Sequence, residues 1–300
     1  MRIDPPTPGA ANGDASEQTA GYKALLMVCT GTHCATQGAY SIRDALRREL
    51  TARELEKNFL VMGIGCAGFC DQGPLILTQP EGIFYQQLKK RDIPRIIEDH
   101  LIGGEPVADL MAHNFLSPTR FNTHTPPQAF SKQRLIALRN MGLIDPRRIE
   151  SYLEWGGYTA LPLALGKMKP EDILAEVKES ELRDPSLPKG GSIGDTWDAC
   201  MVSSQKTGKP PVIVCHVVED QTLDLIDRSI VEIDPHTVIE GMCVGGYALG
   251  ATKGIIIIEP KYTVARSRLE RALDEARQGG HLGMEILGTE FSFDIHLQDN

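Results

Sequence analysis

The sequence predicts an α/β protein built as two units joined by a linker. Short apolar runs alternate with amphipathic helical stretches, two pairs of cysteines stand where apolar runs end, and a second strand–helix–strand–helix series fills the C-terminal half. The chain has 300 residues, 41% hydrophobic and 24% charged, enough for about two packed domains. A formal charge of −9, with no basic cluster longer than "LKKR" (Leu88 to Arg91), excludes a nucleic-acid footprint or an anionic membrane surface. No apolar run approaches the ~18 residues that span a bilayer, so direct membrane insertion is not expected and any membrane association goes through a partner.

Residues 1–21, rich in Pro, Gly, Ala and Ser, lack the apolar stretch of a signal peptide and are expected to be a disordered tail on a cytoplasmic protein. The first unit, residues 22–110, opens with "YKALLMVC" (Tyr22 to Cys29), a buried strand that delivers Cys29 to its carboxyl end. Helical spacing of Ile42, Ala45, Leu46 and Leu50 predicts an amphipathic helix over residues 38–55, with Arg43, Asp44, Arg47 and Arg48 on its other side. "NFLVMGIGC" (Asn58 to Cys66) is a second strand, and residues 73–88 form a hairpin turning at Pro80, Glu81 and Gly82. "IPRIIEDHL" (Ile93 to Leu101), with Pro94 in its first turn, closes the unit as a helix. Strand, helix, strand, hairpin and helix in this order describe a thioredoxin-like layer.

Seven cysteines without a signal peptide place the chain in a reducing compartment, where clustered thiols are metal ligands or redox groups more often than disulfides. Cys29-x4-Cys34 and Cys66-x3-Cys70 sit in loops bearing Gly31, Gly65 and Gly68, which let the backbone wrap an inorganic core closely. Zinc and an iron–sulfur cluster both accept four thiolates. Structural zinc usually staples a small domain without a core; this unit has one, and a leading x4 loop suits a [2Fe–2S] centre better. Zinc and four unrelated thiols are the alternatives. His33, inside the first loop, is expected to face solvent. Cys215 and Cys243 are expected to be buried thiols acting as small hydrophobes, and Cys200 stands alone.

After a Pro- and His-rich linker (residues 111–131), the region 132–300 opens with a helical segment. "PPVIVCHVV" (Pro210 to Val218) and "GIIIIEP" (Gly254 to Pro260) read as buried strands. Between them a helix over residues 235–250 carries Gly241, Gly245, Gly246 and Gly250 for close contact with a neighbouring backbone. Residues 263–280 read as a charged, exposed helix ending at Gly279 and Gly280. This βαβα unit on a parallel sheet is the general architecture of nucleotide and flavin domains.

The cysteine pattern, with "CAGFCDQGP" around its second pair, resembles the thioredoxin-fold [2Fe–2S] domain fused to the NADH- and FMN-binding flavoprotein subunits of bifurcating hydrogenases. Residues 131–183, from "SKQRLIALRNMGLIDPRRIESYLEWGGYTALP" onward, resemble the lead-in of that subunit, which respiratory complex I also contains. The likeness resumes from "DRSIVEIDPHTVIEGMCVGGYALG" to Leu297, so together it covers most of residues 22–297. It implies a thioredoxin-like [2Fe–2S] domain followed by a truncated parallel-sheet flavin-type α/β domain.

Departures from the family shape the functional expectation. Its flavin loop reads R-G-x-G-G-A-G-F-P-T-G-x-K-W; here the stretch is "RDPSLPKGGSIGDTW" (Arg183 to Trp197), where Pro185 and Pro188 each remove an N–H donor and Leu187 adds bulk. The second flavin motif, V-C-N-A-D-E, becomes "VCHVVEDQ", which puts His216 at the Asn, Val218 at the Asp and keeps only Glu219, next to Asp220. The sequence stops at Asn300, before the family's later nucleotide-contacting segment and its four-cysteine motif, so no [4Fe–4S] cluster is expected. The expected function is an electron-transfer subunit that works with other subunits of a redox complex. It would relay single electrons through one [2Fe–2S] cluster on Cys29, Cys34, Cys66 and Cys70, with the flavin-type domain mainly a docking surface. An active diaphorase that binds FMN and NAD(H) is one alternative, and a zinc-stapled interaction protein is another.

Overall fold

A computed structural model describes residues 21–111, 135–184, 190–218 and 226–300. Residues 1–20 of the tail and most of the linker lie outside them. The chain divides into two compact units: Met1–Pro146 with Glu232–Asp234, and Arg147–Val231 with Pro235–Asn300. Among the described residues no helix is long and apolar enough to cross a membrane.

In the first unit a four-stranded sheet runs in the order β2-β1-β3-β4, with β1 Ala24–Cys29, β2 Phe59–Ile64, β3 Ile76–Gln79 and β4 Phe84–Tyr85. β1 is the apolar run of the sequence and lies parallel to β2 and antiparallel to β3, so it is covered on both edges. The β3–β4 hairpin turns where Pro80, Glu81 and Gly82 predict it. The short helix α1 (Thr32–Thr36) precedes α2 (Ala39–Ala52), which buries Ala39, Ile42, Ala45, Leu46 and Leu50 against the sheet, the face its spacing predicts. Helix α3 starts at Ile93–Arg95 and widens into a π-helical turn over Ile96–Ile102. There His100, fully buried, places Nδ1 2.8 Å from the Tyr85 hydroxyl, and its Nε2 meets Glu81. Burial pushes the Tyr85 hydroxyl up to about 12.

The second unit opens with helices α4 (Ile149–Glu154), α5 (Ala160–Lys167) and α6 (Pro170–Glu179). A two-stranded ribbon, β5 Arg183–Asp184 with β6 Gly191–Ser192, leads into α7 (Ile193–Thr207). Then follow β7 (Val212–Val217), α8 (Ile226–Ile233, whose last two residues group with the first unit), α9 (Pro235–Leu249), β8 (Lys253–Ile258), α10 (Thr263–Gln278) and β9 (Asp294–Asp299). The sheet β7-β8-β9 is wholly parallel, as the βαβα pattern predicts, with β9 added beyond it.

Three expectations need correction. β7 is not a buried strand: it is the sheet's edge, with Val212 46% and Val214 55% exposed. An apolar run reads the same at an edge as in the middle of a sheet. Gly246 makes room for a ring rather than a backbone, because a Cβ there would lie 2.7 Å from Phe293 Cε2. Helix α10 is amphipathic rather than exposed all round, burying Ala265, Leu269, Ala272, Leu273 and Ala276.

A polar cluster organises this unit. Glu240, on α9, accepts the Tyr152 hydroxyl at 2.6 Å and the Tyr158 N–H at 2.9 Å on one oxygen. Its other oxygen accepts the N–H groups of Ala160 and Leu161 at 2.9 and 3.1 Å, closing the first turn of α5. Beside it Tyr158 stacks on His281 at 4.0 Å between centroids. Burial, helped by His236 and opposed by Glu240, holds the His281 imidazole below its ordinary value. A histidine depressed in the folded state contributes stability that is present above its unfolded value, about 6.5, and is lost as the pH falls through the folded value. Denaturant unfolding is therefore expected to show stability falling on acidification below about pH 6.5, and His281→Asn should flatten that slope. An unchanged slope in the variant would remove His281 as its source.

Candidate metal centre

Parallel pairing explains how two distant cysteine loops come together. β1 and β2 are in parallel register with Cys29 opposite Ile64, so both strands end at the same edge and the residues that follow lie side by side. Thr30 fastens them: its N–H and its hydroxyl both donate to the Ile64 carbonyl, at 3.0 and 2.6 Å. Helix α1 supplies Cys34, and a 3-10 turn at Cys70–Gln72 supplies Cys70.

The sulfurs form one linked group. All four are free thiols; Cys29 feels hydrogen bonding from Cys34 and Cys66, Cys70 from Cys66, and Cys34 lies within electrostatic reach of Cys66 and Cys70. Cys29 and Cys34 are buried and Cys66 and Cys70 half-buried. Sulfur neighbours first, and burial after them, hold the Cys29 and Cys70 thiols well above their ordinary value. Cys34 is lowered because Cys29 donates to it. Four thiolates this close repel one another, and cations at the centre reverse that repulsion.

Among the described residues, no group of three or more His, Cys, Asp or Glu side chains is arranged to hold a single metal ion. The four thiols of the two loops neighbour one another, and their number is that of a binuclear core taking two thiolates per iron.

Glycines shape the space around the sulfurs. A Cβ on Gly31 would lie 2.9 Å from Cys66 Cβ, and one on Gly73 would lie 2.7 Å from Cys34 Sγ. Their φ angles, −60° and −70°, suit any residue, so space alone excludes a side chain there. Gly68, at φ 82°, turns its N–H toward Cys66 Sγ at 3.4 Å. Gly65 serves a different end: its Cβ would lie 2.8 Å from Ile233 Cα. Gly73→Ala is expected to lower bound iron by about tenfold or more, the scale of changes next to metal ligands, with far-UV circular dichroism unchanged. Wild-type iron content in that variant would remove Gly73 from the site. Sequence reasoning missed Gly73, although a glycine three residues after Cys70 is a visible signal. His33 is exposed, as expected.

The flavin-type segments give a different picture. Pro185, Leu187, Pro188, Glu219 and Asp220 lie outside the described residues. Of the rest, Gly194 is spent on internal packing, since its Cβ would lie 2.7 Å from Lys178 Cγ and 3.0 Å from Lys178 Cα. Ser192 caps α7 by accepting the Asp195 N–H at 3.2 Å, so that donor is already taken, and Asp195 adds a carboxylate to the first turn, which works against an anion there. A Cβ on Gly245 would lie 3.4 Å from the Trp197 ring, and His216 is exposed on β7. The described part of this segment does not fit a flavin phosphate. Cys243 is buried and Cys215 partly so, and burial pushes their thiols up to about 12 and about 11.

Residues 16–101 match the family profile of the thioredoxin-like [2Fe-2S] ferredoxins, and residues 193–299 match that of the Nuo51 FMN-binding domain. The NADP-reducing hydrogenase subunit HndC of Solidesulfovibrio fructosivorans is 39% identical over 167 residues, 56% of this chain and 33% of that protein. A NADH-quinone oxidoreductase subunit of Rhizobium meliloti is 38% identical over 162 residues, 54% of this chain and 38% of its own. The NAD-reducing hydrogenase HoxS subunit alpha of Cupriavidus necator is 27% identical over 286 residues, 92% of this chain and 44% of that one. The chain thus spans between a third and a half of the length of these relatives. The solved thioredoxin-like [2Fe-2S] ferredoxin from Aquifex aeolicus aligns over 99% of its own length and 31% of this chain, at 27% identity and a TM-score of 0.30. This chain thus pairs a region of the thioredoxin-like [2Fe-2S] ferredoxin family with a region of the Nuo51 FMN-binding family, and is similar over part of their length to subunits of NADH-quinone oxidoreductases and of NAD(P)-reducing hydrogenases.

Proposed function

We propose that this chain is an electron-transfer subunit of a multi-subunit oxidoreductase. It relays single electrons through one [2Fe–2S] cluster ligated by Cys29, Cys34, Cys66 and Cys70. In this reading residues 22–110 form the cluster domain, residues 111–131 a linker, and the flavin-type region 132–300 mainly a docking surface for other subunits. It works in the cytoplasm, reaching a membrane only through a partner. The observation that carries the reading is the linked group of four sulfurs at the shared edge of β1 and β2, inside the region that matches the [2Fe-2S] profile.

When bound, such a cluster takes up and gives back one electron with no bond made or broken. The chain's own part is geometric and electrostatic. Thr30 and the parallel strand ends hold the two loops together, Gly31 and Gly73 keep the space open, and the Gly68 N–H points at a ligand sulfur. Burial of Cys29 and Cys34 keeps water from one side, while the half-buried Cys66 and Cys70 face the side from which a redox partner can approach.

A second reading, an FMN-dependent NADH dehydrogenase subunit, draws on the match of residues 193–299 to the Nuo51 FMN-binding profile. Anaerobic titration separates the two. The relay takes up one electron per chain from dithionite and none from NADH alone. Reduction by NADH, with flavin released on denaturation, would favour the dehydrogenase.

A further inference from the structure

We propose that Glu232 is a positioning residue for the cysteine centre, one that sets both the shape of the first cysteine loop and the reduction potential of what it holds. This rests on the cluster reading above. Glu232 lies 200 residues from the loop in sequence, yet groups with the first unit, and is buried at 3% exposure. One carboxylate oxygen accepts the Thr32 N–H at 2.9 Å and the other accepts the Thr32 hydroxyl at 2.5 Å. Thr32 stands three residues after Cys29 and two before Cys34. Gly31, at the start of α1, provides no side-chain cap, and this carboxylate satisfies one of the first N–H groups that a helix leaves without an internal partner.

The same short segment also meets the second loop. Gly65 immediately precedes Cys66, and a Cβ on it would lie 2.8 Å from Ile233 Cα and 3.2 Å from the Glu232 carbonyl oxygen. The far end of the segment is tied down by Asn140, whose Nδ2 donates to Asp234 Oδ2 at 2.6 Å. One element therefore touches both loops that carry the sulfurs. A bond to Thr32 holds one loop, and backbone packing holds the other.

Two consequences follow from this geometry. Loss of the two acceptors frees Thr32 and loosens the turn that presents Cys34, which reduces cluster occupancy. Independently, a carboxylate charge held against the first cysteine loop opposes the arrival of an electron. Glu232→Gln keeps an acceptor for Thr32 but removes the charge, whereas Glu232→Asp keeps the charge and withdraws it by one methylene.

The test is iron per chain and midpoint potential, the latter read by redox titration of the occupied fraction, on anaerobically purified full-length protein. Glu232→Gln is expected to shift the potential to a more positive value. Glu232→Asp should stay closer to the wild-type potential than Gln does, with lower occupancy. Thr32→Val, which removes one donor and leaves the charge, serves if neither Glu232 variant folds, and is expected to lower occupancy. A wild-type potential in Glu232→Gln overturns the proposal, and so does wild-type occupancy in Thr32→Val if that variant has to decide. Wild-type protein without iron overturns the cluster reading itself, and this proposal with it.

Discussion

Replacing Cys66 or Cys70 with Ser is expected to abolish cluster loading or reduce it by at least about tenfold. Serine at Cys200, Cys215 or Cys243 should leave it intact. Both sets contain thiols with raised values, so the direction of the shift does not separate them; its cause does. Cys29 and Cys70 are raised first by hydrogen bonding to neighbouring sulfurs, then by burial and by the charge of the other thiols, which bound iron would offset. Cys215 and Cys243 are raised first by burial, with carboxylates adding to it, and no other thiol contributes. Iron and acid-labile sulfide per chain, measured on each variant, decide the matter. Equal loss of iron from both sets would sink the ligand assignment.

Glu240→Ala is expected to destabilise the second unit by about 3–5 kcal/mol, because it leaves several buried donors without their acceptor, each at a cost of about 1–3 kcal/mol before relaxation. Four donors converge on this carboxylate: the Tyr152 hydroxyl and the N–H groups of Tyr158, Ala160 and Leu161. Alanine leaves them without an acceptor and opens the first turn of α5 as well. Thermal unfolding should show the loss as a fall in Tm on the order of 10 °C. Glu240→Gln, which offers one oxygen and sets an NH2 group against the remaining donors, should fall between alanine and wild type. A loss below about 1 kcal/mol for alanine would mean that these donors find other partners, and that Glu240 does not organise the unit.

Much of the first unit could be read from local sequence. β1 is a compact apolar run, α2 has a clean 3.6-residue period, and the hairpin turn is marked by Pro80, Glu81 and Gly82, so each element declares itself within a few residues. The convergence of the cysteines was legible for the same reason: one strand ends in Cys29 and the other stops two residues before Cys66, so pairing in parallel brings the two cysteine loops together. What could not be read depends on tertiary neighbours. β7 has the composition of a buried strand, and only its place at the sheet edge exposes Val212 and Val214. β9 buries Ile295 and exposes His296, an alternation too short to stand apart from a loop in the sequence. The glycines illustrate the point most sharply: Gly31, Gly73, Gly194 and Gly246 look alike in sequence, yet they face a cysteine loop, a sulfur, a lysine and a phenylalanine ring. Likewise the bonds from Thr32 to Glu232 and from Ala160 to Glu240 span 200 and 80 residues, beyond the reach of any local pattern.

The most direct test of the account is a metal and cofactor inventory on anaerobically purified wild-type protein: iron, acid-labile sulfide and zinc per chain, with the fluorescence of any flavin released on denaturation. A single [2Fe–2S] relay requires two irons and two sulfides per chain, with no stoichiometric zinc and no flavin. One zinc per chain with neither iron nor sulfide would contradict it, and would make the four cysteines a structural staple.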